Sequence, residues 1–363
     1  MRFHSRPLLA IALVLTGPAM AKEVSPASIE RVRQMDNFGL IGIAVSHSGR
    51  IFASAPAALS GNRVVEIDAH SGAVSPFPDA GWQSPDAPDS RRWFAPQALW
   101  IDGRNALWVL DSGRPTLPTT APTGPAKLVK LDLTTGRVIR SYGFAGVVSD
   151  EDSLNDLRID ARRGKVYLTN INRQGSLVVL DLASGKARQV LVGDRSTRAD
   201  PAQHLMIGGQ VGLLRNGQPP LVHADGIALS PDGQWLTYRT LTDHNYWRVP
   251  TDALVDETLS PPQLSARVQF LGTGPITGGI VMAADGTIYG GDLEHGGIVA
   301  LRSDHGQIRS HMLPGTQKRI AWGDSFSIAG GALWVADARL SEQVFANRLP
   351  RRGTPAIYRI KLP

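Results

Sequence analysis

The 363-residue sequence contains no cysteine. That excludes disulfides and a thiol nucleophile, so stability has to come from packing alone. Long hydrophobic runs are scarce. Past the first 21 residues none approaches the roughly 20 apolar residues that a membrane-spanning helix needs. Charge of one sign is lacking too: 38 Lys and Arg face 32 Asp and Glu, a formal net charge of +6. No run of Lys and Arg exceeds two or three residues, and no nucleic-acid motif occurs. The balance therefore points away from nucleic acid and leaves small-molecule partners open. The nine His include no close pair at metal-ligand spacing. No Gly-rich phosphate loop and no nucleophile-elbow motif is present.

What is abundant is Gly and Pro, 38 and 25 residues, as short strands joined by tight turns require. Residues 1–21 read as a secretory signal. Arg2 and Arg6 precede an apolar core from Leu8 to Thr16, and Ala19-Met20-Ala21 supplies a small-x-small cleavage site. The expectation is a secreted or periplasmic protein with no stable membrane insertion. Residues 22–363 are read as one domain, and the oligomeric state stays open.

One pattern recurs along that chain: a polar or small residue, alternating apolar positions, a tight turn, then a second apolar strand. It is clearest at Asn155-Asp156-Leu157-Arg158-Ile159-Asp160 with Val166-Tyr167-Leu168. It recurs at Ile41-Gly42-Ile43, Gln97-Ala98-Leu99, Asp225-Gly226-Ile227, Gly278-Gly279-Ile280 and Asp324-Ser325-Phe326. The two-residue period is that of a strand pair. Six all-β copies at roughly 45–70-residue spacing predict an all-β, six-bladed β-propeller. A lone blade has open edges, so the ring must close. The spacing predicts that Ala356-Ile357-Tyr358-Arg359-Ile360 either completes the sixth blade or pairs in the first. Residues 28–37 read as a short helix or an extended lead-in. Asp132 and Asp181, each in Leu-Asp-Leu-x-x-Gly, read as turn residues whose carboxylates bond backbone amides two residues on. The long loop 77–89 is either functional or mobile.

Several stretches together resemble the major royal jelly and Yellow protein family. They are Leu107-Trp108-Val109-Leu110-Asp111-Ser112-Gly113, Asn155-Asp156, Asp200-Pro201 before Ile207-Gly208-Gly209, and Asp225-Gly226-Ile227-Ala228-Leu229-Ser230. Tyr246-Trp247-Arg248-Val249-Pro250-Thr251 and Trp322-Gly323-Asp324-Ser325-Phe326 complete the set. The resemblance implies a secreted six-bladed propeller. It also implies either an activity related to dopachrome tautomerisation or the binding of biogenic amines. Asn155-Asp156 is similar, in addition, to the Asn-Asp of gluconolactonase-like hydrolases. That similarity implies a divalent-metal role for Asn155 and a general-base role for Asp156. Two positions depart from that pattern: Ile41 stands where a Glu ligand is expected, and Gly278 where an Asp is expected.

The polar residue that opens each repeat should face the central channel. Lined up, these are Ile41, Gln97, Asn155, Asp225, Gly278 and Asp324. Close carboxylates repel unless a cation, a proton or a basic ligand intervenes. Ca²⁺ suits such a set of carboxylate and amide oxygens. The expected site has Asn155 and Asp225 on the metal, Asp156 as base, and Gln97, Asp324, Trp322, Trp93 and Tyr246 around the ligand. The competing readings are strand-end caps for the polar residues and core packing for the aromatics. For function, the alternatives are a non-catalytic amine binder, a lactonase-like hydrolase, and a scaffold using loops 77–89 and 114–125.

Overall fold

In the computed structural model, which describes residues 29–56, 61–114, 123–171, 174–345 and 353–362, the chain is a six-bladed β-propeller. Residues 1–21, which read as a secretory signal, and residues 115–122 of the second loop lie outside the described residues. Each blade is a four-stranded antiparallel sheet, and in five of the six the strands follow chain order from the axis outwards. The innermost strands are Ile43–Val45, Pro96–Ile101, Leu154–Asp160, Ala224–Leu229, Thr277–Met282 and Gly323–Ala329. Every one contains or directly follows a sequence copy, because alternating apolar residues bury both faces of an inner strand between neighbouring blades.

The ring closes on blade six. Ala356–Lys361 is its third strand, as one of the two expected pairings had it. The fourth is Ile29–Gln34, which pairs antiparallel with it, Ile29 opposite Ile360 and Gln34 opposite Ala356. The lead-in is thus extended, and the start of the described chain latches onto its end. This removes the open edge that either terminus would otherwise present.

The core lies between blades. One cluster joins Tyr167 and Val179 of blade three to Ile227 and Tyr238 of blade four, and another joins Ile298 of blade five to Val335 of blade six. Loop 77–89 packs into this framework: Trp82 is buried and stacks on Trp93 at 4.4 Å. Thr251–Val255 forms a single helical turn.

Five of the six innermost strands shift register beside the channel. The shifts fall between Pro96 and Ala98, Leu154 and Leu157, Ala224 and Ile227, Thr277 and Ile280, and Gly323 and Ser325. A bulge leaves extra residues unpaired and re-aims their side chains. Those residues include Gln97, Asn155, Asp156, Asp225 and Asp324. The last residue of the neighbouring second strand steadies the segment. Asp111 accepts the amides of Phe94 at 2.9 Å and Ala95 at 2.8 Å; Asn170 accepts that of Ser153 at 3.1 Å; Asp337 accepts that of Trp322 at 2.8 Å.

Candidate functional site in the central channel

The bulges deliver their polar side chains to one cavity of about 140 Å³ at the channel mouth. Its floor carries Gln97, Asn155, Asp156, Asp225 and Asp324, and its upper walls are apolar: Ile41, Leu205, Val222, Leu340 and Phe345. The roof comes from two segments outside the repeats. One is the stretch from 193 to 222, with a small hairpin pairing Met206–Ile207 with Gln210–Val211. The other is the helical turn Ser341–Val344 with Phe345, which bridges to Leu214 of the first segment.

On the floor the polar groups form two chains of contacts. Gln97 Nε2 donates to Asn155 Oδ1 at 3.0 Å, and Asn155 in turn bonds the Asp225 carboxylate. Trp322 Nε1 donates to Asp324 Oδ1 at 3.0 Å. Asp156 is held separately. Its Oδ1 accepts from the Arg158 guanidinium at 2.9 Å and from the Leu157 amide at 2.8 Å. Thr169 ties the two inner strands together, accepting the Asp156 amide at 3.0 Å and donating to the Asp225 carbonyl at 2.8 Å.

All three carboxyls hold their protons more tightly than ordinary aspartates. For Asp225 the rise is large: burial comes first, then repulsion from Asp324 and from Asp156, partly offset by the Arg239 charge and the Asn155 bond. Asp324 is pushed up to about 7, by burial foremost, against the Trp322 bond, with Asp156 adding to the rise. Asp156 is raised by burial and pulled back by Arg158. The arrangement is a floor of buried, mutually repelling carboxyls beneath apolar walls.

A match to the Major royal jelly protein family spans residues 95–352. The chain belongs to that family. No curated protein sequence matches it. Among solved structures it is similar to a luciferin-regenerating enzyme, at 12% identity over 92% of this chain and 94% of that one, TM-score 0.57. It is also similar to a gluconolactonase from Xanthomonas campestris, at 16% identity over 92% and 89%, TM-score 0.54. A third is the calcium-binding protein regucalcin from Agrobacterium tumefaciens, at 14% identity over 92% of each chain, TM-score 0.52. Identities this low carry the shared fold and nothing finer.

Within this royal jelly family fold, the structure brings six of the eight expected site residues to the cavity: Gln97, Asn155, Asp156, Asp225, Trp322 and Asp324. Trp93 and Tyr246 lie elsewhere. Trp93 is buried against Trp82 and donates to the Phe77 carbonyl at 3.1 Å. Tyr246 is fully buried between blades four and five, its hydroxyl donating to the Pro275 carbonyl at 2.8 Å. Both rings fill inter-blade space, the alternative that the sequence left open. His223, two residues before Asp225, is buried, and its Nδ1 accepts the Ala199 amide at 3.1 Å.

The Ca²⁺ expectation meets a mixed donor set. The oxygens are hard, and Gln97 Oε1 is buried with no hydrogen-bond partner. Yet among the described residues no three His, Asp or Glu side chains converge closely enough to hold a metal ion. The carboxyls share a cavity without forming a cage. Sequence reasoning missed the roof and Arg158. The roof had no signal, lying in irregular segments. Arg158 had one, since residues i and i+2 of a strand share a face and Asp156 stands two before it.

Proposed function

We propose that this member of the major royal jelly family binds a small cyclic or aromatic molecule in the channel mouth and moves a proton on it. The observation that carries this reading is the set of three carboxyls facing one apolar-walled cavity, with Asp324 near 7. An apolar pocket with a few convergent polar groups and displaced pKa values is the general form of such a site. The volume limits the ligand. A cavity of about 140 Å³ is close to the ~150 Å³ that admits a benzene ring, so a small ring system fits.

The roles divide by environment. Asp156, paired with Arg158, serves as the fixed charge. Asp324, titrating near neutrality and oriented by Trp322, takes the proton. Asp225, the most strongly raised, returns it at the second position of the ring. This is the chemistry of a tautomerisation, the class to which dopachrome conversion belongs. It moves the base from Asp156, which the sequence suggested, to the Asp225–Asp324 pair. No step is routed through Ca²⁺, because the donor geometry does not form a cage for it. The leader 1–21 directs the protein to the periplasm or the exterior, which amino-terminal sequencing of the mature protein would test.

A second reading, binding of a cationic amine without turnover, is favoured by one observation. The carboxyls on the floor outnumber the guanidinium that contacts them, Arg158, so an ammonium head would replace a proton there. The test is turnover of dopachrome, related cyclic enols and lactones beside binding of tyramine. The reading expects turnover of a cyclic substrate, rising through pH 7 as Asp324 ionises. It expects a fall of at least ~10²-fold in Asp324→Asn or Asp225→Asn. Saturable tyramine binding without turnover would select the second reading, and neither turnover nor binding would sink both.

A further inference from the structure

Blade five is the exception in the ring. Where other repeats place a side chain at the channel it has Gly278-Gly279, and two guanidinium groups from other blades converge on its backbone. Arg158, from blade three, donates to the carbonyl of Ile280 as well as to Asp156. Arg239, from blade four, donates to the carbonyl and hydroxyl of Thr277 and to the carbonyl of Asp243. Both side chains are buried, Arg239 completely. Each guanidinium also lies over an aromatic ring, Arg158 at 4.8 Å from Trp100 and Arg239 at 5.1 Å from Tyr246.

The glycines make this possible. A Cβ on Gly279 would lie 2.3 Å from the Asp324 carbonyl oxygen, and one on Gly278 would lie 2.9 Å from the Gly323 carbonyl oxygen and 3.4 Å from the Asp324 carboxylate. Blades five and six therefore approach too closely for an acidic side chain at this position. The neighbouring Gly226 is similarly confined: a Cβ there would meet the Gly278 carbonyl at 2.9 Å and the Arg239 stem at 3.5 Å. A long planar cation reaching in from another blade reaches the carbonyls without needing that room.

We propose that Arg158, seconded by Arg239, is the resident cation of this channel, doing with a covalently attached guanidinium the charge-neutralising work for which the acidic floor would otherwise need a bound metal ion. The carboxylate that Arg158 meets is Asp156 on its own strand, and Asp156 in turn faces Asp225 on the inner strand of blade four and Asp324 on that of blade six; the charge of Arg239 acts on Asp225. The inner strand of blade five contributes the carbonyls of Thr277 and Ile280 and the Thr277 hydroxyl, and that of blade two the Trp100 face. The departure from the gluconolactonase-like pattern at Gly278 follows from the same substitution of an internal cation for a metal ligand.

The test replaces the cation and tries to give it back. Arg158→Met should lower Tm by roughly 5–10 °C, the scale for stranding a buried carboxylate. A few millimolar guanidinium chloride or CaCl₂ should recover at least half of that loss while leaving the native protein unchanged. Removing the stranded charge as well, in Asp156→Asn/Arg158→Met, should recover most of it without any additive. That double variant keeps the test decisive if Arg158→Met alone does not fold. Calorimetric titration of Ca²⁺ into the chelator-treated native protein should show no saturable heat. The proposal is overturned if the Arg158→Met loss responds neither to added cations nor to Asp156→Asn, since Arg158 would then be filler against Trp100. Saturable Ca²⁺ binding by the native protein, abolished in Asp225→Asn, would overturn it as well.

Discussion

Aspartates at the rim of the blades and aspartates at the axis are the same residue in opposite circumstances. At the rim, Asp132 and Asp181 close the turns after the third strands of blades two and three. Asp132 Oδ1 accepts the amides of Thr134 at 2.9 Å and Thr135 at 2.8 Å, and Asp181 Oδ1 that of Ser184 at 2.6 Å. Their pKa values are held down: for Asp132 by the Thr135 amide first, for Asp181 by the Lys165 ammonium at 2.6 Å and then the Ser184 amide. Asp225 and Asp324 lose water and meet other carboxyls, and their pKa values rise. A third kind, Asp111, is wholly buried yet fully partnered, by the amides of Phe94, Ala95 and Gly113 and by Lys127 Nζ at 3.0 Å. Burial alone therefore does not mark a functional carboxyl. What separates the channel pair is burial without enough donors.

The largest expected effect comes from breaking the third kind. Asp111→Ala removes the carboxylate that accepts from three backbone amides and strands Lys127, so urea unfolding should show a loss of about 3–5 kcal/mol. A loss below ~1 kcal/mol would mean that water replaces the carboxylate and that the clamp on the inner strand is not structural.

The channel pair should behave with the opposite sign. Asp324 has a folded pKa of about 7, above its unfolded value of ~3.9, so its contribution is fully present below pH ~3.9 and is lost as pH rises through about 7. Asp324→Asn should flatten that decline, which amounts to about 4 kcal/mol at ~1.36 kcal/mol per pKa unit, and leave the variant the more stable of the two at pH 8. Denaturation curves at pH 5 and pH 8 read this directly. Equal stability differences at the two pH values would show that Asp324 is ionised throughout, and the comparison with the rim would collapse.

The rim should give the smallest effect. Asp181 has a depressed folded pKa, so its contribution is present above the unfolded value and is lost as pH falls. The side chain is partly open to solvent, which screens its ion pair, so Asp181→Ala should change stability by no more than ~0.5 kcal/mol at pH 7. A loss several times larger would place the turn among the elements that hold the blade together.

Much of the architecture was legible because a propeller repeats one local pattern. Each copy alternates apolar residues for an inner strand and closes with a turn, so each innermost strand lies within a residue or two of its copy. Asp132 and Asp181 were readable for a related reason: an Asx turn is decided within three residues. Trp93 and Tyr246 were not, because an aromatic ring lining a pocket and one filling an inter-blade gap have the same sequence signature. Loop 77–89 was equally ambiguous until Trp82 and Trp93 proved to anchor it.

By itself, then, the sequence determined the number of blades and the strands within them, since period and turn chemistry are local. Tertiary structure alone decided the latch of Ile29–Gln34 on Ala356–Lys361, the bulges that turn five polar side chains into one cavity, the roof of 193–222 and 341–345, and the meeting of Arg158 and Arg239 at the carbonyls of blade five. These contacts join residues far apart in the chain. Their energies depend on how closely the blades approach and on how little water remains between them, and no short window of sequence contains either quantity.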